Sequence, residues 1–318
     1  MINKLSSKLI NQIAAGEVVD NPSSVIKELI ENSIDAESSI IKIYLEKGGI
    51  EKITIEDDGI GIEKKQLNKA FERHATSKIS KIEDLSNINT LGFRGEALPS
   101  IASVSRIKIQ SKSKNNNKGY ELKVNSGKYS KIIPSNIEYG TIIEVKDLFF
   151  NVPARKKFLK SESAEYRKIL KIFKNIALSN YNISFELFNN SKSVYKFKKE
   201  SLLDRINSIF GSVYSENCIK VEYRKDKYKI SGYIGSLSII KSRPGNQYLF
   251  INNRPVKNQL INLSVYNAYR SLINRNEYPS FYLFLDVPAE SLDVNVHPKK
   301  NEVKFDNELQ IQYIFKKS

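Results

Sequence analysis

The sequence predicts an α+β first domain followed by a second, smaller domain, and three observations carry that reading. The chain has 318 residues, more than one typical core holds. Short strand-like runs and helical stretches are mixed irregularly through the first part of the chain. A polar, lysine-rich segment at 189–200 then reads as a junction, which sets the domains at 1–200 and 201–318.

Each element has a local reason. From Pro22 to Ala36, Val25, Ile26, Leu29, Ile30 and Ile34 recur at helical spacing, and Pro22-Ser23-Ser24 suits a helix start. Two strands follow at 40–45 and 52–56, with Gly48-Gly49 as the hairpin turn between them. Helical patterning resumes over 64–73, and a helix is expected to start near Glu96. Strands are predicted at 105–110, 120–124 and 141–145, with the polar 112–119 stretch as a loop. A helix over 164–178 and a strand at 183–187 complete the first unit. Beyond the junction, helices at 202–210 and 259–273 alternate with strands at 228–234, 247–251, 281–287 and 303–305.

Composition narrows the function. One cysteine, Cys218, excludes an internal disulfide framework and a multi-cysteine metal site, and two histidines, His74 and His297, leave few metal ligands. No apolar run reaches the roughly 18–20 residues of a membrane span, and the N-terminus lacks the pattern of a signal peptide. A soluble, cytoplasmic protein with no membrane partner is expected, nucleoid-associated if bacterial. The net charge of +16 points to a polyanion, although an AT-rich coding bias toward lysine also raises it. Its distribution is uneven: residues 1–150 hold 22 basic and 20 acidic side chains, the remainder 29 and 15. A basic surface from the second half, suited to nucleic acid, follows.

Three constellations carry possible chemistry. Glu28, Asn32 and Asp35 stand at i, i+4 and i+7 on one helix stripe. A carboxylate one turn from an amide suits water activation beside a metal-bound phosphate, and a solvated helix face has the same spacing. Asp57-Asp58-Gly59-Ile60-Gly61 follows a strand, where Asp57 can accept from an exocyclic amine and the glycines allow a tight turn against a flat ring. Ordinary turn chemistry uses the same residues. Third, glycines in Leu91–Ile101 precede a helix whose first N–H groups suit an anion, and Lys78 adds a cation upstream. A capped surface helix is the alternative there. Neither GxxxxGK[ST] nor GxGxxG occurs.

Taken in order, LINQIAAGEVV (9–19), KELIENSIDA, DDGIGI, RHATSK, LGFRGEAL, DLFFNVPARKKFLK (147–160) and DVNVHPKKNEVKF (293–305) closely resemble the MutL family of DNA mismatch-repair ATPases. The family belongs to the GHKL superfamily. The resemblance implies a GHKL-type ATPase sandwich, a mixed or antiparallel sheet with helices on one face. A smaller α/β transducer domain of ribosomal-protein-like fold follows it. The implied cofactors are ATP and Mg²⁺, with Glu28 as general base and Asn32 as the Mg²⁺ ligand. Asp57 contacts the adenine amine, Gly59 and Gly61 shape its pocket, and Thr141 lies beside it. Lys78 and the segment Gly92-Phe93-Arg94-Gly95-Glu96-Ala97-Leu98 wrap the phosphates, and Lys300 reaches the γ-phosphate from the second domain.

Three positions depart from the family pattern: Asp58 for Asn, Pro99 for a small residue, and Lys299 for a small residue. The resemblance implies an ATP-gated, DNA-binding repair switch that couples mismatch recognition to later steps. Its expected partners are DNA, a MutS-type mismatch recognition protein and, with ATP, a second copy through the N-terminal regions. Lys156, Lys157, Arg254 and Lys257 are candidate DNA contacts. A non-hydrolysing or truncated ATP-binding protein of the same family is the alternative. The sequence ends at Ser318, just past the second domain, and holds no DQHAxxE-type nuclease motif, so neither a C-terminal dimerisation domain nor an endonuclease site is expected in this chain.

Overall fold

The computed structural model describes residues 13–16, 18–78, 90–92, 95–288, 291–293, 304–306 and 308–317. The chain divides into two compact units, Met1–Phe173 with Asn182–Lys199, and Lys174–Tyr181 with Glu200–Ser318.

Among the described residues, nine strands form the sheet of the first unit: β1 (Ile40–Glu46), β2 (Lys52–Asp57), β3 (Arg106–Lys112), β4 (Gly119–Asn125), β5 (Lys128–Tyr129), β6 (Ile133–Ser135), β7 (Gly140–Lys146), β8 (Ser184–Asn189) and β9 (Lys192–Phe197). Their order is β5-β4-β3-β7-β2-β1-β8-β9, with β6 paired to β4, and β1–β8 is its parallel pairing. Alternation makes the sheet two-sided. One face carries the register rows Leu45–Ile53–Val145–Ile107–Val124 and Ile43–Ile55–Ile143–Ile109–Leu122, all buried. The other carries cross-strand charge pairs such as Lys42–Glu56 at 3.1 Å.

Helix α1 (Pro22–Asp35) covers the apolar face with Val25, Ile26, Leu29 and Ile30, all buried. The side chain of Asn21 caps it, accepting from the Ser23 amide at 3.0 Å and the Ser24 amide at 3.3 Å. Among the described residues, two shorter helices follow, α2 (Ala97–Ser103) and α3 (Pro153–Phe158), and then α4 (Glu162–Ser179). Phe173 of α4 meets Phe185 of β8 edge to face at 5.9 Å and stacks on Phe197 of β9.

One expectation needs correction, and one segment holds an element the composition did not reveal. The predicted helix over 64–73 is instead two 3-10 turns, Lys64–Gln66 and Lys69–Phe71. Leu67 and Phe71 are its buried anchors, too few to offset the cost of nucleating an α-helix. The lysine-rich 189–200 stretch contains edge strand β9, whose lysines face water while Phe197 is buried. Lysines on an edge strand discourage edge-to-edge pairing, and the division between the two units falls at the end of this stretch, between Lys199 and Glu200.

In the second unit, β10 (Cys218–Lys225), β11 (Tyr228–Gly235), β12 (Gln247–Ile251), β13 (Arg254–Pro255) and β14 (Phe281–Asp286) form a sheet ordered β10-β11-β14-β12-β13. β15 (Leu292–Asp293) and β16 (Lys304–Phe305) pair separately. Its helices are α5 (Leu202–Phe210), α6 (Ser212–Glu216), α7 (Gln259–Tyr269) and α8 (Glu308–Lys317). β12 and β14 are parallel and joined through α7, the βαβ crossover of an α/β unit. Leu249, Ile251, Leu283 and Leu285 pack in one core with Ile261 and Val265 of α7 and Ile311, Ile314 and Phe315 of α8. On the opposite face Tyr248 stacks on Tyr282, and Phe210 of α5 lies 5.4 Å from Tyr282. Hence β14 is buried along almost its whole length.

Candidate nucleotide site

The site begins where the sheet's apolar rows run out. The third row of the buried face reads Ile41–Asp57–Thr141–Ser111, placing a carboxylate and two hydroxyls in register beside the apolar floor. The Ser33 hydroxyl of α1 donates to Asp57 Oδ2 at 2.8 Å, and the Gly59 amide donates to Oδ1 at 3.0 Å. Burial raises the Asp57 pKa above the ordinary carboxylate range, outweighing the opposing bonds from Ser33 and Gly59. The Thr141 and Ser111 hydroxyls are 2.9 Å apart, and Ser111 Oγ accepts from the Ile62 amide at 2.8 Å.

The DDGIG turn is shaped by close approach of the backbone. Gly61 has φ +69°, and a Cβ there would stand 2.2 Å from the Lys112 carbonyl oxygen. Asp58 holds the fold together locally, because its Oδ1 accepts from the Ser39 and Ile40 amides at 2.7 and 2.8 Å and so fixes the start of β1.

The stripe on α1 faces the next segments. The Lys78 ammonium donates to Asn32 Oδ1 at 2.9 Å and to Asp35 Oδ2 at 2.5 Å. Asp35 also accepts from the amides of Leu91 and Gly92, at 2.9 and 3.2 Å. Asn32, Asp35, Lys78 and Gly92 are therefore joined by hydrogen bonds. Glu28 lies one turn before Asn32 and is partly exposed, with the Lys27 ammonium 3.3 Å from its Oε1. Burial works to lower the Lys27 pKa, but Glu31 and Glu28 outweigh it and the net shift is upward.

Gly95, at φ +62°, lets the chain pass the Ala75 carbonyl, where a Cβ would stand 2.4 Å from the oxygen. Glu96 follows, with Arg73 Nη1 3.6 Å and His74 Nδ1 3.0 Å from its carboxylate. Ala97 and Leu98 open α2, and Pro99 is its third residue, where a missing N–H leaves no intrahelical bond unmade. Phe93, Arg94, Lys300 and His297 lie outside the described residues, as do 9–12 and Glu17 of the first motif.

The first and sixth motifs meet at Gly16, where a Cβ would stand 1.8 Å from Arg155 Nη2 of α3. Lys156 and Lys157 of α3 are exposed, beside a Phe158 that is 84% exposed. Arg254 and Lys257 belong to the second unit, after a two-residue turn at Asn252-Asn253 with φ of +47° and +63°. The two pairs thus sit on different units. Sequence reading missed Ser33 and Ser111, whose only signal is position in the register, and the Asn21 cap, which stood directly before Pro22.

Comparisons with known proteins fit this geometry. The sequence pattern of the histidine kinase-, DNA gyrase B-, and HSP90-like ATPase family matches residues 20–148. That of the DNA mismatch repair protein, C-terminal domain, matches residues 206–318. The chain is 28% identical to a solved N-terminal domain of a DNA repair protein, covering 97% of this chain and 96% of that one at a TM-score of 0.82. The Aquifex aeolicus MutL ATPase domain complexed with ADP matches at a TM-score of 0.66 and 26% identity, over 95% of this chain and 99% of that one. The first unit accordingly has the GHKL-type ATPase fold.

Among curated sequences, the MutL protein of Clostridium botulinum is 48% identical over 99% of this chain and 47% of its own length. Those of Clostridium acetobutylicum and Coxiella burnetii are 49% and 43% identical, over 98% and 96% of this chain and 50% and 54% of their own lengths. Over nearly its whole length the chain is similar to the MutL family of DNA mismatch-repair proteins. It spans about half the length of the curated relatives it matches. Among the described residues, no helix is long and apolar enough to cross a membrane.

Proposed function

We propose that this chain binds and hydrolyses ATP with Mg²⁺ and uses the cycle as a DNA-binding switch in mismatch repair, coupling mismatch recognition to later factors. The single observation that carries this reading is the polar end of the sheet floor. A half-buried carboxylate, Asp57, is held by Ser33 and Gly59 one helix face from the Asn32–Lys78 pair. A half-buried acceptor beside an apolar floor suits the amine edge of adenine, and a cation with an amide oxygen suits the phosphates.

The donor set fits Mg²⁺. Among the described residues no group of three His, Cys, Asp or Glu side chains gathers, and Asn32 offers one amide oxygen. Mg²⁺ keeps several waters and takes phosphate oxygens, so a single protein ligand is adequate. When bound, the metal would neutralise charge on the β- and γ-phosphates.

The chain's own groups do the rest. Asp57 accepts from the adenine amine and Thr141 lies beside it, while Gly59 and Gly61 shape the ring pocket. Lys78, the backbone of Gly92–Leu98 and Lys300 oppose the triphosphate charge. Glu28 takes a proton from the attacking water, one helical turn from the metal ligand, as general-base geometry requires. The family's partners carry over as proposals: DNA along Lys156, Lys157, Arg254 and Lys257, a MutS-type protein, and a second copy when ATP is bound. The domains are proposed as 1–200, ATPase, and 201–318, transducer.

The test is Mg²⁺-dependent phosphate release by the folded chain, with DNA affinity measured against salt. Slow turnover and an affinity that falls steeply with salt are expected. No turnover above background overturns the ATPase reading, and a flat salt dependence overturns DNA binding.

A further inference from the structure

Asp35 is the acid on the α1 stripe that the proposed chemistry does not use. Its side chain is 5% exposed, too little for a solvated helix face. The carboxylate accepts three donors, Lys78 Nζ at 2.5 Å, the Leu91 amide at 2.9 Å and the Gly92 amide at 3.2 Å. Those donors lie 43, 56 and 57 residues away in sequence. Local helix energetics therefore do not explain them. A buried carboxylate is tolerated when charged and backbone donors satisfy it, and here both kinds do.

The same Lys78 ammonium donates to Asn32 Oδ1 at 2.9 Å. A lysine ammonium is a compact charge on a flexible stem, and fixing it normally costs rotamer entropy. Asp35 restricts Lys78 through Oδ2 and ties two backbone amides to the same carboxylate, Leu91 on Oδ1 and Gly92 on Oδ2.

We infer that Asp35 is a positioning residue of the nucleotide site, holding the Lys78 ammonium beside Asn32 and orienting the Leu91–Gly92 backbone. The inference rests on the ATP reading above and deepens it. In this arrangement the ammonium covers the Asn32 oxygen assigned to the metal. The Asp35 carboxylate thereby keeps the Lys78 charge close to that oxygen and to the phosphates.

The test joins a nucleotide-free measurement to a double-mutant cycle. Amide hydrogen exchange at Leu91 and Gly92, measured without nucleotide, is expected to quicken about tenfold or more in D35N, from loss of a charged acceptor. ATP affinity, measured by calorimetry with Mg²⁺, is expected to fall about tenfold in D35N and in K78M. The double variant should be no more than about threefold weaker than K78M, because the two residues act as one unit. A merely structural Asp35 would give effects that multiply. Unchanged exchange or multiplying effects overturn the inference. Should D35N fail to fold, Asp35→Glu takes its place in the same cycle: it keeps the charge but shifts it by a methylene, and it is read by the same two criteria. Failure of the ATP reading looks different: the wild-type chain then binds no ATP, while the exchange at Leu91 and Gly92 still reports on Asp35.

Discussion

Replacing Asp57 with asparagine reverses one hydrogen-bonding edge while leaving the fold intact. Asp57 Oδ1 accepts from the Gly59 amide, and the new side chain's remaining oxygen keeps that bond. At the other position the Ser33 hydroxyl, now facing an N–H, turns its proton to the Leu29 carbonyl 3.2 Å away and accepts instead. Burial is the first cause of the raised Asp57 pKa, so a neutral isostere also removes a desolvation penalty. Stability should hold. Binding should not, because the introduced amide presents a donor to the adenine amine. Losing a charge-assisted bond costs about 1.5–3 kcal/mol, a roughly 10–150-fold rise in Kd for ATP. Guanine carries a carbonyl at that edge, which the carboxylate repels and the amide accommodates. The preference for ATP over GTP should therefore fall by at least about tenfold. Calorimetric titration of both nucleotides into wild type and D57N, with thermal melts alongside, measures this. An unchanged ATP-to-GTP ratio in a folded D57N protein refutes Asp57 as the base-reading group.

Three further outcomes are expected. The raised Asp57 pKa means that ATP affinity is full above that pKa and declines as the pH falls through it, earlier than for an ordinary carboxylate; D57N should be flat over the same window in pH-dependent titrations. Arg205 is fully buried, donating to Glu200 and the Tyr181 carbonyl and, at 2.5 Å, to the Ala177 carbonyl. R205A strands those acceptors, so denaturant unfolding should register a loss of about 3–5 kcal/mol, and a loss under about 1 kcal/mol contradicts the assignment. Reversing the charge of Lys156 and Lys157 should lower the slope of log affinity for duplex DNA against log salt by about 0.9 for each phosphate no longer neutralised, and an unaltered slope removes α3 from the DNA surface.

Much of the first unit was legible because sheet strands write their alternation into sequence. Ile41, Ile43 and Leu45, or Ile107 and Ile109, announce a buried face by their period of two alone. The placement of Glu28 and Asn32 one turn apart on a helix, and of Asp57 at the end of a strand, was legible through spacing. What was not legible depends on pairing across the chain. Strand β9 was hidden inside the stretch read as a junction, because composition does not report that Phe185 and Phe197 lie in register. Residues 64–73 have a helical apolar spacing, yet two buried anchors do not sustain an α-helix. Asp35 shared its stripe with Glu28 and Asn32, and nothing local to α1 distinguishes it from a solvated acid. Its role emerges from Lys78, Leu91 and Gly92, which the fold brings to it.

Glu28 is proposed as the base that activates the water cleaving ATP, and single-turnover hydrolysis by wild type and E28A measures that role. Glu28 is partly exposed and pairs with Lys27, so removing it leaves Asp57, Asn32 and Lys78 in place. ATP affinity should stay within about threefold, since a general base contributes to the transition state rather than to ground-state binding. The rate of phosphate release should fall by about 10²- to 10⁴-fold. Equal rates for the two proteins, with ATP bound by both, would contradict the assignment of Glu28 as the base.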